Sequence, residues 1–165
     1  MIESSLLDGA DSGDPLSDCF DSADACTSGT YYASGDVTVD QRVEFNTSDG
    51  DVTIAVDGDL DLGEDSLEIE NGGDGVVRYY VNGSVFANGD ATVGTSSAAI
   101  EARRNQFYVR EGFLEDGPGQ GSVDVDAVVY APNSDTELAG NVRLRGGFVL
   151  NSLSTRSSAF TVEQD

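Results

Sequence analysis

The pentapeptides Val56-Asp57-Gly58-Asp59-Leu60 and Val81-Asn82-Gly83-Ser84-Val85 decide the fold, because both place Gly and a small polar residue between two apolar residues. Leu138-Ala139-Gly140-Asn141-Val142 repeats the pattern near the other end of the chain. The first two lie 25 residues apart, a spacing typical of solenoid repeats. We interpret each Gly as a corner in the left-handed backbone conformation, which Gly adopts cheaply and Asn next best.

The segments around these corners alternate apolar and polar residues, the pattern of β-strands with one buried face. Such runs occupy 36–45, 51–62, 67–69, 77–86, 91–93, 106–110, 122–130 and 137–150. The sequence therefore predicts an all-β fold, a small right-handed β-helix (β-solenoid) of about five coils. Its coils would stack inward Val, Ile, Leu and aromatic residues on one another.

An antiparallel β-sandwich is the alternative, because it also combines alternation with closely spaced turns. Asn71-Gly72, Asn82-Gly83 and Asn88-Gly89 are hairpin-like dipeptides that keep this alternative open. The apolar-Gly-apolar corners recur in phase, which favours the β-helix.

The chain divides into three parts. Residues 1–34 form an acidic, loop-rich N-terminal segment with a local disulfide, 35–155 the β-helix domain, and 156–165 a C-terminal tail. A solenoid needs covered ends, since an open coil exposes an edge to other chains. We expect the first and last parts to serve as caps.

The charge balance excludes several functions. The 165 residues contain 31 Asp or Glu, 8 Arg, no Lys and no His, giving a net charge of −23. Such a chain repels nucleic acid and anionic membranes. Without His, imidazole-based catalysis and imidazole metal sites are also excluded. Abundant carboxylates without Lys indicate a halophilic surface, which salt screens.

Cys19 and Cys26 predict a local disulfide in a polar loop, because the pair lacks the spacing of metal or redox cysteines. A disulfide indicates an oxidising compartment and hence an extracellular location. The sequence contains neither a signal peptide nor a transmembrane segment. We therefore expect an excised ectodomain whose export signal or anchor has been removed.

Four segments carry a family resemblance, and they are Val56-Asp57-Gly58-Asp59-Leu60, Tyr80-Val81-Asn82-Gly83-Ser84-Val85, Val129-Tyr130-Ala131-Pro132-Asn133-Ser134 and the stretch from Leu138 to Val149. Together they resemble the C-terminal domain of haloarchaeal surface proteins, which are similar to type IV pilus-assembly proteins with a pilin-like anchor. The resemblance covers about residues 50–155. It implies a small β-helix displayed outside the cell and assigns no catalytic residue.

One acidic run is a candidate calcium site. Its carboxylates occupy positions 1, 3, 5, 9 and 12 of a calcium-loop window, and they are Asp57, Asp59, Asp61, Asp65 and Glu68. The sixth position is Leu62, where the loop requires Gly. A solvated acidic strand face is the alternative, and we expect no other cofactor.

Four residues are candidates for a partner surface: Arg143, Arg145, Phe113 and Tyr80. Arg143 and Arg145 lie one strand period apart and face the same side, either as ion-pair partners of neighbouring carboxylates or as a patch for a partner. Phe113 lies in the Gly-rich excursion 110–121, and solenoid insertions often make contacts. Tyr79-Tyr80 places one ring inward and one outward, where an outward Tyr can bind a partner.

These features together predict a non-catalytic extracellular structural or adhesive domain of a pilus-associated or cell-surface protein from a halophile. Its expected partners are other surface or pilus proteins, or surface glycans. The alternative is a carbohydrate- or receptor-binding β-domain, calcium-assisted or viral. A polysaccharide-active enzyme using Asp124 and Asp126 comes third, because the chain is short and has few basic residues to hold an acidic substrate.

Overall fold

The computed structural model describes residues 13–63, 66–71, 74–87, 89–95, 101–114, 121–156 and 159–163. The strands are β1 Asp14–Pro15, β2 Gly29–Ala33, β3 Val37–Thr38, β4 Val43–Asn46, β5 Val52–Val56, β6 Leu60–Asp61, β7 Ser66–Asn71, β8 Val77–Val81, β9 Val85–Phe86, β10 Ala91–Thr95, β11 Asn105–Val109, β12 Ser122–Leu138, β13 Asn141–Thr155 and β14 Ala159–Glu163. A short helix spans Ser17–Phe20 and a 3₁₀ turn spans Ala102–Arg104.

The strands form one large curled sheet and one small sheet. The large sheet runs β1-β2-β5-β8-β11-β12-β10-β7-β4, with β13 beside β12 and β14 beside β13. The small sheet runs β3-β6-β9. Every strand pair among the described residues is parallel. The all-β prediction is confirmed, whereas the antiparallel sandwich is wrong for these strands.

The core is a stack of inward side chains from successive strands. Val52, Ile54 and Val56 of β5 lie in register with Val77, Tyr79 and Val81 of β8, and all are buried. Aromatic rings fill the middle of the stack, where Tyr79 lies 4.2 Å from Phe107 with nearly parallel planes. Alternation therefore predicted the buried face of these strands correctly.

A series of polar side chains connects the layers at the corner before the small sheet. The amide of Asp59 donates to Asp36 Oδ1 (3.0 Å), that of Ser84 to Asp59 Oδ1 (2.8 Å), and that of Gly112 to Ser84 Oγ (3.0 Å). The partners lie 23, 25 and 28 residues apart. We call Asp36, Asp59 and Ser84 the corner ladder.

The glycines before this ladder are required by close approach, not by left-handed backbone. Neither Gly58 nor Gly83 has a positive φ. A Cβ on Gly58 would lie 2.6 Å from Asp36 Oδ1, and one on Gly83 would collide with Asp59 Oδ1. The third pentapeptide behaves as expected, since Gly140 has a φ of 78°. The predicted reason was therefore wrong at two of the three corners.

A second corner uses the same residue pattern. The amide of Ser122 donates to Asp90 Oδ1 (2.6 Å), and the amide of Asn141 donates to the carbonyl of Gly121 (3.3 Å). A Cβ on Gly121 would collide with the backbone of Gly89. Gly followed by Asp, Ser or Asn thus marks close stacking of the chain at two separate positions.

Strands β12 and β13 pair in parallel although only Ala139 and Gly140 connect them. Parallel strands normally need a crossover of a dozen or more residues. Strand β12 must therefore curl back on itself, and its register shifts between Ala131 and Asp135. At the shift and just beyond it, buried Ser134 accepts from the amide of Phe113 and buried Thr136 donates to its carbonyl, and Phe113 itself lies beside Val85 of the small sheet.

The sheet begins earlier than predicted. We expected the ordered body to start near Gly35, but β2 pairs along its whole length with β5. Before it, Leu16 and Phe20 are buried beside a disulfide between Cys19 and Cys26, which confirms the predicted pairing. At the other end, β14 lies within the segment predicted as a tail.

Replacement of Gly83 by Ala should lower the free energy of unfolding by about 1–3 kcal/mol, because the new methyl group overpacks the corner. Gly35→Ala is the matched control at the preceding corner, since a Cβ there meets nothing within 4 Å. We expect the control to change stability by less than about 1 kcal/mol. Urea unfolding in constant high salt measures both, and equal effects would contradict the close-approach explanation.

Replacement of Tyr79 by Phe should raise the free energy of unfolding by about 1 kcal/mol, because the buried hydroxyl has no hydrogen-bond partner among the described residues. Burial raises the pKa of Tyr79 well above 10.0, so above that pH the unfolded chain loses a proton that the folded chain keeps. Native stability should therefore fall as pH rises through 10, and Tyr79→Phe should reduce this fall. A destabilised Tyr79→Phe would contradict the assignment.

Candidate binding surface

Tyrosines form a row on the outer face of the large sheet. Strand β8 points Tyr79 inward and Tyr80 outward, as the sequence predicts. Tyr108 of β11 lies in register beside Tyr80, and Tyr130 of β12 lies beside Tyr108. We call these three outward residues, Tyr80, Tyr108 and Tyr130, the tyrosine row.

The rings of the row are held against one another. Tyr80 and Tyr108 stack with centroids 5.0 Å apart and planes 16° apart. The Tyr108 hydroxyl donates to Gln106 Oε1 at 3.3 Å. Burial, and then the neighbouring Tyr108, raise the pKa of Tyr80 above its usual value. Tyr80 is therefore uncharged at neutral pH. Tyr80 and Tyr108 cover part of each other's ring faces.

Apolar side chains extend the row toward the end of the stack. Val149 of β13 lies beside Tyr130, and Val128 precedes Tyr130 by two residues on the same side of β12. The exposed fractions are 39% for Tyr130, 41% for Val128 and 51% for Val149. In a chain with a charge of −23, this is an unusual uncharged surface.

Charged and polar groups flank the row on both sides. On one side Arg78 binds Asp51 at 2.6 Å. The amide of Val76 and the Arg78 guanidinium lower the pKa of Asp51, while Asp51 raises the pKa of Arg78. On the other side Asn82 donates to Asp57 at 2.7 Å and accepts from Arg110 at 2.8 Å. The flanking charges therefore compensate one another within the chain.

The predicted partner residues are only partly brought together. Tyr80 belongs to the row, but Phe113 is 1% exposed and packs edge-on against Phe107 at 5.7 Å. The prediction that Phe113 contacts a partner is therefore wrong, because this ring is turned into the core. Arg143 and Arg145 lie at the start of β13, away from Val149.

The two arginines on β13 form ion pairs, which was one of the two predicted alternatives. Arg143 lies 3.3 Å from Asp124, and Arg145 lies 3.1 Å from the same carboxylate. Arg145 also bonds buried Asp126. Asp124 and Asp126 are thus both bound by arginine side chains.

The described candidate calcium ligands instead form hydrogen bonds and an ion pair within the chain. Asp57 accepts from Asn82, Asp59 from Ser84, and Asp61 from the nearby Gly63 amide at 2.9 Å. Glu68 binds Arg42 at 2.9 Å, and Asp65 lies outside the described residues. Among the described residues, no group of three or more His, Cys, Asp or Glu side chains is arranged to hold a metal ion.

Sequence reasoning missed two members of the row, Tyr108 and Tyr130. They follow Tyr80 at unequal intervals, because the chain between paired strands varies in length. Only the strand register brings them together. The sequence does contain a signal for the row, which is one outward Tyr on each of three predicted strands.

The comparisons with known proteins place the chain in a family. A family described as a domain of unknown function, DUF7305, matches residues 1–165. The chain belongs to the DUF7305 family. No curated protein and no solved structure matches this DUF7305 chain. No helix in the described part of the DUF7305 chain is long and apolar enough to cross a membrane.

Millimolar calcium should leave the melting temperature unchanged in constant molar sodium chloride, because the described acidic residues of the DUF7305 chain do not converge on one point. High background salt removes general screening, so a remaining shift reports specific binding. A chelator provides the control. A rise of several degrees that the chelator reverses would show a calcium site.

Proposed function

We propose that the curled sheet and the small sheet are faces of one small right-handed β-helix. Equal steps along both sheets support this: Gly29 pairs with Val52 and Val37 with Leu60, each 23 residues apart. The two-residue connection between β12 and β13 supports it further, because β12 has to travel around the perimeter before pairing with β13. In this arrangement each outer row is a rigid lateral surface.

We propose that this domain is an extracellular structural and adhesive part of a pilus-associated or cell-surface protein from a halophile. The disulfide and the net charge of −23 support an oxidising, salt-rich exterior. The resemblance to haloarchaeal surface proteins supports the same location. The tyrosine row carries the adhesive part of the proposal, since exposed apolar and aromatic patches mark contact sites.

A protein partner fits this row better than a glycan. Sugar binding by aromatics uses a free ring face, but Tyr80 and Tyr108 each cover one face of the other by stacking. Tyr edges with exposed Val128 and Val149 suit an apolar protein surface with some hydrogen bonding. For the carbohydrate-binding alternative, Tyr130 is the most exposed ring of the row, at 39%.

The proposed role requires no catalytic reaction. Asp124, Asp126 and Glu68 are each bound by an arginine, which leaves them poorly suited to act as general acid or base. A contact domain instead needs a rigid surface, and the parallel ladders supply one.

Cells that carry Tyr108→Ser and Tyr130→Ser in the native protein should lose most of their attachment to surfaces or other cells. A Tyr at the centre of a protein contact is worth about 2 kcal/mol or more. Phe86→Ser is the matched control, because Phe86 is an outward, half-exposed aromatic on the small sheet. Protease treatment of intact cells in isotonic salt measures display, and an attachment assay measures adhesion.

The two readouts separate the parts of the proposal. A protein protected until lysis would contradict the extracellular location. Equal attachment of the double variant and the Phe86→Ser control would contradict the role of the row. Attachment that is lost on adding free monosaccharides but unaffected by the double variant would favour a glycan site elsewhere.

A further inference from the structure

In the described part of the chain, the core is uncovered at the C-terminal end of the stack. Phe148, Leu150 and Leu153 of β13 lie in register with Val129, Ala131 and Thr136, which are buried. Phe148 and Leu150 are only partly buried, and Leu153 is 42% exposed. These three side chains therefore point in the direction of the core without a further described layer above them.

A backbone edge accompanies this apolar end. Strand β14 pairs with Asn141–Arg145 only, so the described pairing leaves the outer edge of 146–155 without a strand. Unpaired N–H and C=O groups on a strand edge are a template for another strand. Val162 of β14, in register with buried Leu144, is itself 44% exposed.

All the large hydrophobic residues that are exposed in the described part of the chain lie on the last three strands. They are Val128, Tyr130, Val149, Leu153 and Val162. A monomer that must stay soluble scatters such residues singly. Val128, Tyr130 and Val149 belong to the lateral surface around the tyrosine row, whereas Leu153 and Val162 lie at the end of the stack. Their exposure indicates that this end is covered in the functional assembly.

The charge distribution changes at the same place. Residues 138–162 contain no Asp or Glu, although the whole chain has 31, and they contain Arg143, Arg145 and Arg156. Each arginine is paired within the chain, with Asp124, Asp126 or Glu137 on β12. The charges of the three arginines are therefore neutralised within the chain, so binding at this end does not require an oppositely charged partner.

The N-terminal end has the opposite character. Leu16 and Phe20 cover the first layer, β1 pairs the edge of β2, and Cys26 bridges to Phe45 on the edge strand β4. Residues 13–28 carry four aspartates and no arginine, so two such ends repel each other. The protein thus has one covered acidic end and one open neutral end.

We propose that the open end binds the same end of a second copy, forming a two-fold dimer through β13 and β14. A neutral, self-compatible surface is what two copies of a strongly acidic chain need in order to associate. Head-to-tail stacking, which would produce a filament, is disfavoured because β1 covers the edge of β2 and Cys26 covers part of the edge of β4, which leaves β3 with a free edge among the described strands at this end. This inference rests on Leu153, Val162 and the free edge of 146–155, which lie outside the tyrosine row, and it does not depend on the cellular location.

The test is light scattering with size-exclusion chromatography on the full chain in molar sodium chloride, over a range of protein concentrations. We expect a dimer for the wild type and a monomer for Leu153→Asp. Thr38→Asp is the matched control, since it places the same charge on an exposed residue of β3 at the covered end, and it should remain dimeric. Circular dichroism checks that each variant is folded.

Hydrogen exchange gives a second readout that needs no substitution. Amides of 146–155 should exchange more slowly at high than at low protein concentration, while those of β3 should not change. A wild-type monomer with concentration-independent exchange would overturn the proposal. Polymers that grow with protein concentration, and that Thr38→Asp abolishes, would also overturn the proposal. They would indicate head-to-tail assembly.

Discussion

The corner ladder is the constraint on which the architecture depends. Asp36, Asp59 and Ser84 each accept a hydrogen bond from the backbone of the following layer, at a place where the chain turns and cannot continue a strand ladder. Gly58 and Gly83 permit the bonds to Asp36 and Asp59, because a Cβ at either position would collide with the accepting carboxylate. Together with backbone bonds at the same corner, such as that from the Gly83 amide to the Gly58 carbonyl at 2.9 Å, the ladder holds the register of the strands that leave each corner.

Fixed register has consequences on both sides of the sheet. Inside, it aligns Tyr79 with Phe107 so that the rings stack in the core. Outside, it aligns Tyr80 with Tyr108 and brings Asn82 to Asp57 and Arg110. One-residue slippage would exchange the inner and outer sets. The composition of each surface row is thus decided at the corners, many residues away in sequence.

The sequence predicts strands and corners well because alternation and small turn residues are local signals. Val52 to Val56 and the Gly58-Asp59 corner needed no other information. Features that depend on how the strands stack on one another were harder to predict from the sequence. Strand β2 was missed because Tyr31 and Tyr32 lie between small polar residues, and Phe113 was placed outside because its Gly-rich context resembles a loop. The tyrosine row requires knowledge of layer lengths, which no short motif encodes.

The parallel pairing also determines how the protein responds to force. Hydrogen bonds between layers run along the direction in which the strands stack, so tension applied along that direction loads one ladder at a time and peels the outermost layer first. Each released layer of roughly 25 residues would lengthen the chain by about 80–90 Å. The Cys19–Cys26 crosslink removes the residues it encloses from this extension at the N-terminal end. In the proposed β-helix, the layers would therefore separate one after another, because each ladder of hydrogen bonds joins only two neighbouring layers.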